Sequence, residues 1–215
     1  RRSPGARFRD RRGSYQGQAP DRETVENKPP QFLYLYSSRE GKTFAEVSES
    51  AGLPNTGVHS AAWADYNNDG YLDLVLTSIE AGVPPVLFKN SSKFKFTDVS
   101  SAAGLTEKGS VSMNVTWVDY DRDGFVDLFQ AGRGKSFLYR NNGDGTFENT
   151  TDKLPLGERT SAYSAVWFDA NNDGYPDLFL GNTGLNNFYL NNGDGTFKDA
   201  TEASGLAGEE GWRSV

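Results

Sequence analysis

Cysteine is missing from all 215 residues of the chain. Disulfides, thiolate nucleophiles and sulfur-ligated metal sites are therefore excluded. Histidine occurs once, as His59. With one imidazole and no thiol, the usual nucleophile–base pairs and zinc sites cannot be assembled, which argues against an enzyme. No apolar run approaches the ~20 residues of a membrane-spanning helix. No glycine pattern of a P-loop or dinucleotide fold follows a strand. Long aliphatic stretches are scarce too: 36% of residues are hydrophobic and 13% aromatic, so a core must rely on rings and small side chains.

Acidic residues are abundant and unevenly placed. The net charge is −7, yet residues 1–30 carry eight Lys/Arg against four Asp/Glu, and the remainder carries 14 against 25. The acidity of the larger part argues against nucleic acid as its partner.

Ten of those 25 acids fall in three stretches: Asp65-Tyr66-Asn67-Asn68-Asp69-Gly70-Tyr71-Leu72-Asp73, Asp119-Tyr120-Asp121-Arg122-Asp123-Gly124-Phe125-Val126-Asp127 and Asp169-Ala170-Asn171-Asn172-Asp173-Gly174-Tyr175-Pro176-Asp177. Each reads D-x-[DN]-x-D-G-x-x-D. A segment curling around a cation turns alternate side chains inward, so places one, three, five and nine converge four oxygen donors. Glycine at the sixth place permits the sharp turn, and the seventh residue can add its backbone carbonyl. Hard oxygen donors in this number suit calcium better than magnesium. Three calcium ions would bring the chain from −7 to −1. On charge alone the second loop, with four aspartates, should bind tightest.

An EF-hand would need glutamate at the twelfth place and flanking helices. The twelfth places hold Leu76, Gln130 and Leu180. The flanks, such as Val115-Thr116-Trp117-Val118 and Val126-Asp127-Leu128-Phe129, are β-branched and aromatic, so each loop joins two strands. A metal-free Asp-Gly turn is the plain alternative; three copies in register, each with four oxygen side chains, weigh against it.

The loops start 54 and 50 residues apart and sit inside a longer repeat. Ala51-Gly52-Leu53, Ala103-Gly104-Leu105 and Ser204-Gly205-Leu206 recur. So does a hairpin, Asn141-Asn142-Gly143-Asp144-Gly145-Thr146-Phe147 and Asn191-Asn192-Gly193-Asp194-Gly195-Thr196-Phe197, whose Asp144 and Asp194 belong to the turn. Its earlier copies, over 37–44 and 90–94, are degenerate. Four short antiparallel strands in about 50 residues make a β-propeller blade. The expected fold is all-β: a β-propeller of four-stranded antiparallel blades, about three full blades plus a half-blade, partial or truncated. The divisions are a basic extended tail at 1–30, a half-blade at 31–50 beginning with a strand over Gln31–Tyr36, blades at 51–102, 103–152 and 153–203, and the start of another at 204–215. The expectation is either that the natural chain continues beyond Val215 or that a partner covers the open ends. Trp63, Trp117 and Trp167, each two places before a loop, are expected to pack blade against blade.

The loop followed by L-Y-x-N-N-G-D-G-T-F resembles the FG-GAP (VCBS-type) repeats of integrin α-subunit propellers and the cartilage-acidic-protein family, over about residues 31–215. The resemblance implies a calcium-binding propeller with metal loops between the first and second strands of a blade. By motif, the ligands are Asp65, Asn67, Asp69 and Asp73; Asp119, Asp121, Asp123 and Asp127; and Asp169, Asn171, Asp173 and Asp177. Tyr71, Phe125 and Tyr175 would contribute backbone oxygens. The expected function is a non-enzymatic protein–protein interaction module in a calcium-rich compartment: extracellular, periplasmic or an organelle lumen. Two alternatives stand beside it: an accessory subunit of a large multi-protein assembly, membrane-associated or not, with the basic tail docked on a neighbour, and a lectin, because some such propellers bind sugars between blades.

Overall fold

The computed structural model describes residues 33–206, apart from 55, 79, 93, 110 and 158–160. The expected tail at 1–30 lies outside the described residues, as does most of the expected next blade, 207–215.

Strands β1 (Tyr36–Arg39) and β2 (Thr43–Glu46) form a two-stranded sheet, followed by the one-turn helix α1 (Ser48–Ala51). Three four-stranded antiparallel sheets follow, each a simple up-and-down meander. The first blade is β3 (Val58–Ala64), β4 (Asp73–Ser78), β5 (Val86–Asn90) and β6 (Phe96–Asp98). The second is β7 (Ser112–Val118), β8 (Asp127–Gly132), β9 (Phe137–Asn141) and β10 (Phe147–Asn149). The third is β11 (Ala162–Phe168), β12 (Asp177–Asn182), β13 (Asn187–Asn191) and β14 (Phe197–Asp199). The fold is all-β, as the repeat implied, and its registers superimpose. Trp63 pairs with Leu74, Trp117 with Leu128 and Trp167 with Leu178, and a register shift interrupts each first strand at its second residue.

Burial follows from stacking sheets side by side, β3 next to β7 and β7 next to β11. A strand covered on both faces has no side left to solvent, so burial continues along it without alternating. In β8 every residue is buried. Leu128, Val75, Leu87, Val115 and Tyr139 fill the space between the first two blades, and Phe129, Leu138, Ala165, Leu178 and Leu180 the space between the last two. Phe179, the counterpart of fully buried Phe129, is only half-buried.

Two expectations need correction. The strand expected over Gln31–Tyr36 begins only at Tyr36 among the described residues. Leu33 and Leu35 instead pack on the cluster of Leu74, Leu76 and Phe88, and Leu35 is fixed by its N–H to Ser48 Oγ (2.7 Å) and its carbonyl to Val47 N–H (2.8 Å). Trp63 does not pack between blades: it is 43% exposed, and among the described residues its ring contact is edge-on with Phe96 of its own sheet. Trp117, by contrast, is stacked on Tyr66 of the preceding blade. Among the described residues, what precedes the first blade is a two-stranded sheet with no such loop tyrosine to cover Trp63.

Candidate metal-binding loops

Each acidic stretch joins the first two strands of a blade: β3 to β4, β7 to β8, β11 to β12. Two left-handed residues close each turn. Gly70, Gly124 and Gly174 have φ of 88°, 91° and 91°, and the fourth residues Asn68, Arg122 and Asn172 have φ of 55°, 60° and 59°. Glycine takes this conformation freely, and asparagine tolerates it better than most residues.

The loop side chains satisfy the backbone of their own turn. Asp65 accepts from the N–H groups of Asp69 (2.9 Å) and Gly70 (2.7 Å), and Asp169 from those of Asp173 and Gly174. Asp119 accepts from Gly124 N–H at 3.1 Å. At the third place, Asn67, Asp121 and Asn171 accept from the fifth residue's N–H. At the fifth, Asp69, Asp123 and Asp173 accept from the N–H of Tyr71, Phe125 and Tyr175. The acids are thus set by short Asx-type turns of their own loops.

The ninth aspartates do a second job. Asp73, Asp127 and Asp177 are fully buried. One oxygen of each accepts from the second loop residue, Tyr66, Tyr120 or Ala170, and the other from the N–H of Asn90, Asn141 or Asn191 on the blade's third strand. Burial pushes the Asp127 carboxyl up to about 8 and that of Asp73 up to about 6, in both cases against the pull of those two N–H groups. A divalent cation alongside would favour the ionised form of both.

The second loop draws its acids together most closely. Carboxylate oxygens of Asp119, Asp121 and Asp127 lie within 4.8 Å of one another. Asp119 Oδ1 is buried there and has no hydrogen-bond partner among the described residues. A buried carboxylate oxygen with no donor is costly unless a cation neutralises it, so the donor set fits a hard divalent ion. Among the described residues no other group of three acids converges in this way. The first and third loops place Asn67 and Asn171 where the second has Asp121. Asp123 lies outside the converging group, with the Arg140 guanidinium 2.6 Å from its Oδ2. The seventh residues pack their rings against the next hairpin: Phe125 lies against Gly143 and Tyr175 against Gly193, so closely that a Cβ would sit 2.9 Å and 3.0 Å from the ring. Asp144 and Asp194 stay in the hairpin turns as expected, each bound to the N–H and hydroxyl of Thr146 or Thr196.

Sequence reasoning treated the first asparagine of the N-N-G-D-G-T-F hairpin as part of a turn. It is an anchor. Asn141 Nδ2 donates to Tyr66 O of the preceding blade's loop (2.7 Å) and to Val126 O of its own (3.0 Å). Asn191 Nδ2 does the same to Tyr120 O (2.8 Å) and Pro176 O (3.1 Å). The loops also touch directly: Asn68 Nδ2 donates to Gly124 O at 3.2 Å, and the Arg122 guanidinium lies 5.5 Å from the centre of the Tyr175 ring. The recurrence of asparagine at 90, 141 and 191 was the available signal.

A model of the FG-GAP-like repeat matches residues 24–76, 119–180 and 169–215. No curated protein matches at a significant level. Among solved structures, a lectin of Agrocybe aegerita, studied for its specific recognition of non-reducing terminal N-acetylglucosamine, matches with a TM-score of 0.48 and 19% identity. The match covers 77% of this chain and 45% of the lectin, so this chain spans less than half the lectin's length.

Proposed function

Because the chain belongs to the family of FG-GAP-like repeat proteins, we propose that it is a calcium-binding β-propeller module that recognises a protein partner and performs no chemistry. The observation that carries the reading is the second loop, with three carboxylates converging and the Asp119 oxygen left without a donor. Asp119, Asp121, Asp123 and Asp127 would hold the ion there, with the Phe125 carbonyl. Asp65, Asn67, Asp69 and Asp73 with Tyr71, and Asp169, Asn171, Asp173 and Asp177 with Tyr175, would form the equivalent sites. Bound calcium supplies charge neutralisation to a tight cluster of carboxylates. Because the same aspartates bind the loop backbone, the ion and the turn are stabilised together. The repeated carboxylates have structural work in these turns, which leaves none of them as a paired acid and base. Exposed apolar side chains on β11, namely Tyr163, Val166 and Phe168, and the exposed Tyr36 and Phe44 of the two-stranded sheet are the surfaces a protein partner would cover. Calcium sites of this kind would suit a calcium-rich compartment, extracellular, periplasmic or lumenal.

The test is chelation followed by melting. At calcium about 100 times the dissociation constant, one site stabilises by roughly 2.7 kcal/mol, so stripping the metal should lower the melting temperature by several degrees. An unchanged melting temperature after verified metal removal would overturn the calcium reading.

Carbohydrate binding is a second reading, favoured by one feature. A cleft of about 650 Å³ on the third blade is lined by Asn182, Asn187, Leu185, Tyr189 and Asp199. Of these residues, the Tyr189 hydroxyl and Asn182 Oδ1 have no hydrogen-bond partner among the described residues. A lining that sets Leu185 and Tyr189 beside Asn182, Asn187 and Asp199 offers a sugar both apolar surface and hydrogen-bonding groups. Titration with simple sugars that evolves no heat would remove it.

A further inference from the structure

We propose that Arg140 is a built-in counter-cation that sets the calcium affinity of the second loop, stabilising the ion-free loop in competition with the metal. The inference rests on the calcium reading above and deepens it. Arg140 lies on β9, one residue before the anchor Asn141. Its Nε is 2.5 Å from Asp121 Oδ2 and its Nη2 is 2.6 Å from Asp123 Oδ2. One guanidinium thus bridges the third and fifth ligand positions with two charge-assisted hydrogen bonds. In a loop with four aspartates and no metal, this positive charge relieves the mutual repulsion that would otherwise splay the turn.

The same contacts oppose calcium. Asp123 is the one acid of the four outside the converging group, and Arg140 holds its outer oxygen. For Asp123 to serve as a ligand it must loosen that bond. Any ion entering the loop also meets a like charge one carboxylate away. Both effects weaken binding, so the charge count that ranks the second loop first is offset by its own strand.

The position is graded across the blades. Lys89 stands there in the first blade, with its Nζ 3.4 Å from Asp69 Oδ2, a longer and single contact. The third blade has Leu190. Arginine bridges two carboxylates, lysine meets one as a point charge, and leucine offers none.

Calorimetric calcium titration of the chain and of the variants Arg140→Leu and Lys89→Leu, with melting of each in chelator, tests the assignment. Arg140→Leu should tighten one site by about tenfold, the order expected for removing a partly exposed charge beside two ligands, and should lower the melting temperature in chelator. Lys89→Leu should shift another site the same way by about two- to threefold. If Arg140→Leu loosens a site, or alters none while calcium still binds, the proposal is overturned and the calcium reading stands. If the unaltered chain takes up no calcium, both fall. Should Arg140→Leu fail to fold without metal, its calcium-loaded titration and the Lys89→Leu series decide the outcome by the same signs.

Discussion

The interface between the first and second blades and that between the second and third use the same strands, yet they are latched differently. In both, a hairpin asparagine reaches back to the preceding loop, Asn141 to Tyr66 O and Asn191 to Tyr120 O. In both, the loop tyrosine packs on the phenylalanine that opens the fourth strand, with ring centres 5.7 Å apart for Tyr66–Phe147 and for Tyr120–Phe197. Beyond that they diverge. The first interface has a backbone clasp: Phe147 N–H donates to Ala103 O at 2.8 Å. The second carries Leu154 and Pro155 where the first has Ala103 and Gly104, and it adds an indole bond from Trp167 Nε1 to Thr116 Oγ1 at 3.2 Å. The side-chain anchor that recurs fixes the geometry, and each interface adds its own second latch.

The sharpest way to break the comparison is to remove the clasp. Gly104 has φ of 82°, and a Cβ there would lie 2.9 Å from Phe147 O. Gly104→Ala therefore meets both a left-handed backbone penalty of about 1–2 kcal/mol and a collision with a carbonyl that cannot swing aside. We expect a loss of about 3 kcal/mol in denaturant unfolding with calcium in excess, at the upper end of single substitutions. Pro155→Ala, at the matching place in the other interface, should cost well under 1 kcal/mol. Equal losses would mean the clasp is no latch.

Removing the shared anchor comes next and should weaken the two interfaces alike. Asn141→Ala leaves Tyr66 O and Val126 O without their donor, and Asn191→Ala does so for Tyr120 O and Pro176 O. Each should cost about 2 kcal/mol, the scale for orphaning buried polar groups. A loss at one site of less than a third of that at the other would show that the two anchors are not equivalent.

These anchors also mark where the sequence stops being legible. The loops, the strand order and the four-stranded repeat could be read from spacing, because the acidic pattern lies within nine residues and recurs, with the strands around it, at intervals of 54 and 50 residues. The role of Asn141 could not, since its acceptor is a backbone carbonyl 75 residues earlier, and a carbonyl leaves no mark on composition. Arg140 was visible only as one of three different residues, Lys89, Arg140 and Leu190, ahead of a repeated asparagine. Trp63 looked like its two counterparts because exposure depends on what the neighbouring unit supplies, not on the strand that carries the ring.

The smallest effect sharpens the comparison furthest, because it moves one latch to the other interface. Trp167 Nε1 has Thr116 Oγ1 to donate to, whereas Trp117 Nε1 is buried with no partner among the described residues. The residue matching Thr116 in the first blade is Ala62, which packs against the cluster around Tyr66 and Val115. A buried indole N–H without an acceptor forfeits about 1–3 kcal/mol. Ala62→Thr would place a hydroxyl in the position from which Thr116 accepts, and a β-branched residue suits the strand. That second benefit needs a control, so Ala62→Val supplies the same branch without the oxygen. We expect Ala62→Thr to be more stable than Ala62→Val by about 1 kcal/mol, and Thr116→Val to lose a similar amount from the other interface. If Thr and Val at position 62 melt together while Thr116→Val still destabilises, the two indoles sit in different settings and the interfaces differ in shape as well as in latch.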